Sequence, residues 1–189
     1  MKLILSSNSP RRKELLAGLD VPFEVRVIDG IDESFPADLP TDEIAEFVAR
    51  KKAAAYAVCE DEIVITADTI VVLDGKVLGK PHDLDDAAAM LQQLSGKTHR
   101  VITGVCIKNS VKQKSFSVVS EVTFKSLSDD EISYYVNRYK PLDKAGAYGV
   151  QEWIGYIGVT SLSGSYYNVM GLPVQRIYEV LKCEFGISA

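Results

Sequence analysis

Apolar and polar positions along this chain switch repeatedly between a two-residue and a roughly three-to-four-residue period, so strands and helices are expected to mix. Lys2–Ser6 carries the run Leu3-Ile4-Leu5 and is predicted as a buried first strand. Ser9-Pro10 opens a helix, with Ser9 as N-cap and Pro10 at the first helical position. Leu15, Leu16 and Leu19 give that helix its apolar face, and Gly18 lies near its end. Over residues 21–28, Phe23, Val25 and Val27 alternate with Glu24 and Arg26, a strand pattern. An acidic loop follows over 29–38. Thr41 is predicted to cap a long helix through Cys59, with Ile44, Phe47, Val48 and Ala55 on one side. Two strands are expected at 62–67 and 70–73, then a tight turn at Asp74-Gly75 from which Val77-Leu78 pairs back. Leu84–Leu94 reads as an alanine-rich helix ended by Ser95-Gly96. Long strands are expected at 100–108 and 116–124, and a helix capped by Ser128 at 129–138. The remainder reads as a loop at 140–148, a strand at 153–161 and a terminal helix at 172–185. Without strict alternation of elements, the pattern predicts an α/β or α+β fold around a mixed sheet.

Composition narrows the class without fixing the chemistry. At 189 residues with 47% apolar side chains, the chain suits one domain or two closely joined lobes with a core of its own. Its net charge of −5 argues against general nucleic-acid binding. A polyanionic ligand then requires basic residues gathered in one place. Cys59, Cys106 and Cys183 are widely separated, match no zinc spacing, and read as idle thiols of a reducing compartment. No signal peptide and no apolar run of membrane length is visible, so a cytoplasmic protein is expected.

Several familiar motifs fail. Gly96-Lys97-Thr98 resembles the tail of a phosphate-binding loop, but the position that needs glycine is Leu91; Gly79-Lys80 runs into Pro81. His82 and His99 are isolated, which disfavours a histidine-rich metal site, and no nucleophile elbow exists.

Two local patterns carry chemistry. Ser7-Asn8-Ser9-Pro10-Arg11-Arg12 runs from strand to helix start, where free backbone N–H groups favour anions. Arg11 and Arg12 in the first turn oppose the helix dipole, and a phosphate chain would reverse that cost. Asp68 ends an apolar run and precedes another; a carboxylate there demands a cationic partner or a metal. Glu33, in the acidic loop, is the candidate second carboxylate. Lys52 lies in a charged helix run, and Lys80 follows Gly79 just after a hairpin, where glycine permits close approach of a ligand. Residues 143–151 form a small-residue loop of the kind that lines pockets.

Taken together, these segments resemble the Maf family of nucleotide pyrophosphatases. The matching pieces are Ser7-Asn8-Ser9-Pro10-Arg11-Arg12, Lys52-Ala53, Ala67-Asp68-Thr69, Gly79-Lys80-Pro81, Leu94-Ser95-Gly96, the loop from Asp143 to Gly149 with Gln151, and Gly164-Ser165-Tyr166 through Met170-Gly171-Leu172-Pro173. They follow the family's order and span nearly the whole chain. The resemblance implies a single domain over 1–189: an elongated, twisted mixed sheet with flanking helices and two lobes around a cleft, often homodimeric. It implies that Asp68 is the catalytic proton acceptor, with Glu33 beside it, and that both hold a divalent cation, Mg²⁺ or Mn²⁺. It further implies that Ser7, Ser9, Arg12, Lys52 and Lys80 surround the triphosphate, while Arg11, Thr69 and Gln151 govern substrate choice. The form Lys144-Ala145-Gly146-Ala147-Tyr148-Gly149 with Gln151 looks like the branch that hydrolyses dTTP and UTP to monophosphate and pyrophosphate. Two departures stand out: Ser6, where alanine is usual, and Glu152-Trp153, where glycine commonly follows the glutamine. The rival readings are a nucleotide-binding regulator of growth or division without catalysis, and a pyrophosphatase of the same fold acting on 7-methyl-GTP or other modified nucleotides.

Overall fold

Near-continuous runs of branched apolar residues make strands that need cover on both faces, and two of them align in parallel near the N-terminus, with a short, more exposed third strand beside them. The computed structural model describes residues 1–189. β1 (Lys2–Ser6) lies between β2 (Phe23–Val25) and β3 (Glu62–Leu73), with Leu3 opposite Phe23 on one side and Ile63 on the other. The hydrogen-bonded order of the sheet is β2-β1-β3-β5-β6-β7, with β4 (Lys76–Leu78) paired antiparallel to β3. β5 is Thr98–Lys108, β6 Gln113–Phe124 and β7 Val159–Ser163; β7 runs antiparallel to β6. The fold is thus mixed α/β, as the pattern predicts.

The chain divides into two compact units. The first comprises 1–68, 103–118 and 171–189; the second comprises 69–102 and 119–170. In the first unit, α1 (Pro10–Ala17), α2 (Thr41–Ala54) and α7 (Val174–Phe185) accompany the parallel strands. Leu3, Ile4, Leu5, Ile63, Val64 and Ile65 are all buried, so neither face of this part of the sheet meets water. α2 approaches β5 closely because Gly104 has no side chain: a Cβ there would lie 2.1 Å from the Ala45 carbonyl carbon. In the second unit, α3 (Leu84–Leu94), α4 (Asp129–Tyr139), α5 (Trp153–Gly158) and α6 (Tyr166–Met170) surround a core of Val71, Leu91, Val101, Phe124, Ile132, Tyr135, Tyr148 and Ile154. Ser128 caps the start of α4, as predicted, through a reciprocal capping box with Glu131.

The structure corrects several boundaries. The strands expected at 62–67 and 70–73 are one strand, β3, that continues through Asp68 and Thr69. The helix expected to reach Cys59 ends at Ala54, because Tyr56 is turned inward: its hydroxyl accepts from Ser6 Oγ and the Ile28 N–H and donates to the Arg26 carbonyl. Thr41 is the first helical residue, not a side-chain cap. The strand expected at 21–28 shortens to the three residues that register with β1. Residues 153–161 are not one strand but α5 followed by β7. A Cβ at Gly155 would lie 1.8 Å from the Val150 carbonyl oxygen, so this glycine is what lets the chain coil back there. α6 was not expected. The Asp74-Gly75 hairpin is as predicted, with both residues at positive φ (50° and 77°), the left-handed pair such a turn needs.

Candidate active site

β3 is buried along its whole length except at Asp68 and Thr69. A carboxylate at that break needs a counter-charge, and α2 supplies it. Lys52 Nζ lies 3.0 Å from Asp68 Oδ1 and 3.1 Å from Glu33 Oε1. The Lys52 and Asp68 side chains are only 13% and 17% exposed, so this is not a solvated surface pair. One ammonium therefore draws together two carboxylates from segments 35 residues apart in sequence, the acidic loop and β3.

The Ser7-to-Arg12 segment abuts the same place. Ser7 is buried and its Oγ accepts the Ser9 N–H at 3.2 Å; Ser9 Oγ in turn caps α1 at the Arg12 N–H. The Arg12 guanidinium donates from Nη1 to the Ala67 carbonyl at 3.0 Å and from Nε to the Gly171 carbonyl at 2.8 Å. It thereby clamps the backbone immediately before Asp68. Desolvation lowers the Arg12 pKa; the charge of Asp68 opposes that shift, Arg11 adds to it, and Glu33 opposes it. Arg12 thus lies within reach of the charges of Asp68, Arg11 and Glu33. Arg12 is expected at the phosphates; because it also holds these main-chain oxygens, it acts as a brace. No group of three or more His, Cys, Asp or Glu side chains is arranged so that it could hold a metal ion.

The remaining expected residues lie in the second unit. Thr69 follows Asp68 on β3 and Lys80 is exposed after β4. The loop before Gln151 is tightly set. Gly146 donates its N–H to the Gly79 carbonyl at 3.0 Å, which ties the Lys80 segment to this loop. A Cβ on Gly146 would meet Val71 at 2.9 Å, and its φ of 68° also favours glycine. Ala147 is buried at φ 59°, a strained position for a residue with a side chain. Gln151 is half-buried, and its Oε1 is buried without a hydrogen-bond partner.

Sequence reasoning missed the support behind Gln151. The buried Lys144 ammonium pairs with Asp143 at 2.8 Å and Glu152 at 3.3 Å. Tyr135 donates its hydroxyl to the other Glu152 oxygen and accepts the Gly149 N–H at 3.0 Å. Burial, then the Glu152 hydrogen bond, raises the Tyr135 pKa and keeps that proton in place. The available signal was Glu152 itself, a charged residue standing in an otherwise small and apolar stretch.

The Maf-like protein family matches residues 2–184. A dTTP/UTP pyrophosphatase of Phocaeicola vulgatus is 62% identical over 183 residues, covering 96% of this chain and 95% of its own. That of Bacteroides thetaiotaomicron is 59% identical over the same shares. A solved nucleoside-triphosphatase / dITP/XTP pyrophosphatase from Mycobacterium abscessus aligns over 94% of this chain and 92% of its own, at 14% identity and a TM-score of 0.46. With a family match spanning almost its entire length, this chain belongs to the Maf-like protein family.

Proposed function

We propose that the chain is a nucleoside triphosphate pyrophosphatase that hydrolyses dTTP and UTP to the monophosphate and pyrophosphate. The observation that carries this reading is the pair of carboxylates, Asp68 and Glu33, converging on Lys52 beside the arginine-bearing start of α1. Relatives more than half identical over nearly their full length bear that activity in their names.

In this reading Asp68 takes a proton from the attacking water. The water oxygen bonds to the α-phosphorus, the bond from that phosphorus to the bridging oxygen breaks, and pyrophosphate departs with the electron pair. Arg11, Lys52 and Lys80 balance charge on the phosphate oxygens, while Ser7, Ser9 and Arg12 hold the segment that meets them. Asp68 and Glu33 would also hold a divalent cation, Mg²⁺ or Mn²⁺. Two carboxylates suit such an ion, which takes few protein ligands in sites that also bind phosphates. When bound, the ion supplies positive charge to the triphosphate and acidifies water. Lys52 bridges both acids and so keeps them close to each other.

Gln151 is assigned to the base. Its amide offers one acceptor and two donors, which match the N3–H and carbonyl edge of uracil or thymine. Thr69 accompanies it in substrate choice.

The test is pyrophosphate release from a panel of nucleoside triphosphates with Mg²⁺. We expect dTTP and UTP to give the highest kcat/KM, with CTP and the purine triphosphates at least about tenfold lower, a difference of roughly 1.4 kcal/mol in transition-state binding. Tight binding of nucleotides without pyrophosphate release would identify a sensor instead. Preference for 7-methyl-GTP would keep the reaction and reject the substrate.

A further inference from the structure

A glutamine side chain is a poor judge of pyrimidines while it is free to turn. Its amide pairs with the uracil or thymine edge in one orientation and with the cytosine edge after a half rotation, because the two bases exchange donor and acceptor at ring position 3. Discrimination therefore needs something that fixes the amide.

The turn around Gln151 contains such a device. The position that a Cβ of Gly149 would occupy lies 3.1 Å from Gln151 Nε2 and 2.9 Å from the Glu152 carboxyl carbon, so amide nitrogen and carboxylate share one small space. A carboxylate beside the amide attracts its NH₂ end and repels its carbonyl end. Oε1 is correspondingly left without a protein donor. The carboxylate is itself held from two sides: Lys144 Nζ at 3.3 Å and the Tyr135 hydroxyl, which also takes the Gly149 N–H. A main-chain bond from the Glu152 N–H to the Gly149 carbonyl at 3.0 Å closes the turn.

We propose that Tyr135, Glu152 and Lys144 are positioning residues that lock the Gln151 amide with its nitrogen toward Glu152, so that its oxygen is reserved for an N–H donor of the base. The ligand class so selected is a pyrimidine imide, which donates at N3; cytosine accepts there and is refused. The donor that this oxygen gains from the base removes the cost of an unpaired buried acceptor. This rests on the assignment of Gln151 to the base, and deepens it by naming what gives the glutamine its sense.

The experiment measures kcat and KM for UTP and CTP in Glu152→Gln, Tyr135→Phe, Gln151→Ala and the double variant Tyr135→Phe/Gln151→Ala, each checked for folding by a urea titration. Glu152→Gln keeps the shape and one of the two acceptor oxygens while removing the charge, so it serves if Tyr135→Phe does not fold. The expected result is a fall of about tenfold or more in the UTP-to-CTP ratio of kcat/KM in both single network variants, carried by slower UTP and faster CTP turnover. The double variant should match Gln151→Ala, since a lock without its bolt changes nothing further. An unchanged ratio in folded Glu152→Gln and Tyr135→Phe, or an equal loss on both nucleotides, overturns the proposal. If Gln151→Ala itself leaves the ratio intact, it is the assignment of the base to Gln151 that fails.

Discussion

Asp68 and Lys52 illustrate what a single position can and cannot disclose. Asp68 was conspicuous in the sequence because a carboxylate interrupts an apolar run, and the structure finds it at the break in burial of β3. Glu33 is less so: the acidic loop offers it as a second carboxylate, but among the acids there nothing except the family resemblance distinguishes it. Arg12 was legible as a cation but not as a brace, since the carbonyls it holds lie 55 and 159 residues away. The pairing of Lys52 with both acids makes Asp68 separable from the fold. Asp68→Asn leaves Lys52 with Glu33 at 3.1 Å as counter-ion and Arg12 with its main-chain carbonyl acceptors, so neither cation is left without a partner. Turnover on UTP should drop about 10²- to 10⁴-fold, the usual contribution of a general base, while the urea midpoint stays nearly constant. Near-normal pyrophosphate release from the variant would remove Asp68 from the chemistry.

Elements were read most reliably where local chemistry decides them. The start of α1, the β3–β4 hairpin and the capping box of α4 all depend on residues within a few positions, and all stand where expected. Errors arose where a distant partner intervened. α2 stops early to release Tyr56 toward Ser6 and Arg26, and the run from Trp153 coils because Gly155 sits under the Val150 carbonyl. A short apolar run is compatible with either state, and only tertiary contact resolves it. The approach of α2 to β5 offers a test at this scale. Gly104→Ala would place a methyl 2.1–2.3 Å from main-chain atoms of Ala45 and Glu46, which cannot yield as a flexible side chain would. The helix that carries Lys52 must then shift. We expect a loss of about 2–4 kcal/mol in a urea titration, with activity falling alongside. Gly79→Ala is the contrast: nothing lies within 4 Å, so stability should change by no more than ~0.5 kcal/mol.

The stability of the whole chain should carry the mark of one buried imidazole. His99 is 1% exposed and bonded through Nε2 to the Tyr148 hydroxyl at 2.6 Å, and its Nδ1 has no partner. Phe124 and Tyr148 pack on its ring. A second proton would create a charge in this apolar site, and burial accordingly lowers the His99 pKa from 6.5 to about 4. The unfolded chain therefore binds a proton that the folded one refuses throughout that interval. Stability is fully present above pH 6.5 and is lost as pH falls toward 4, by about 3 kcal/mol in all. The carboxylates held by cations behave differently. Arg26 and the Cys59 N–H lower the Glu62 pKa from 4.5 to about 2, so its contribution persists above 4.5 and disappears only as pH falls toward 2. Lys51 lowers that of Asp32 in the same direction. Between pH 5 and 6.5 the slope of stability against pH should thus belong mainly to His99. Urea titrations at half-unit intervals are expected to show unfolding free energy decreasing steadily from pH 6.5 to 5, and His99→Gln, which can still bond Tyr148, should flatten that slope. A wild-type chain equally stable across the interval would mean that the imidazole is protonated as readily inside the core as outside it.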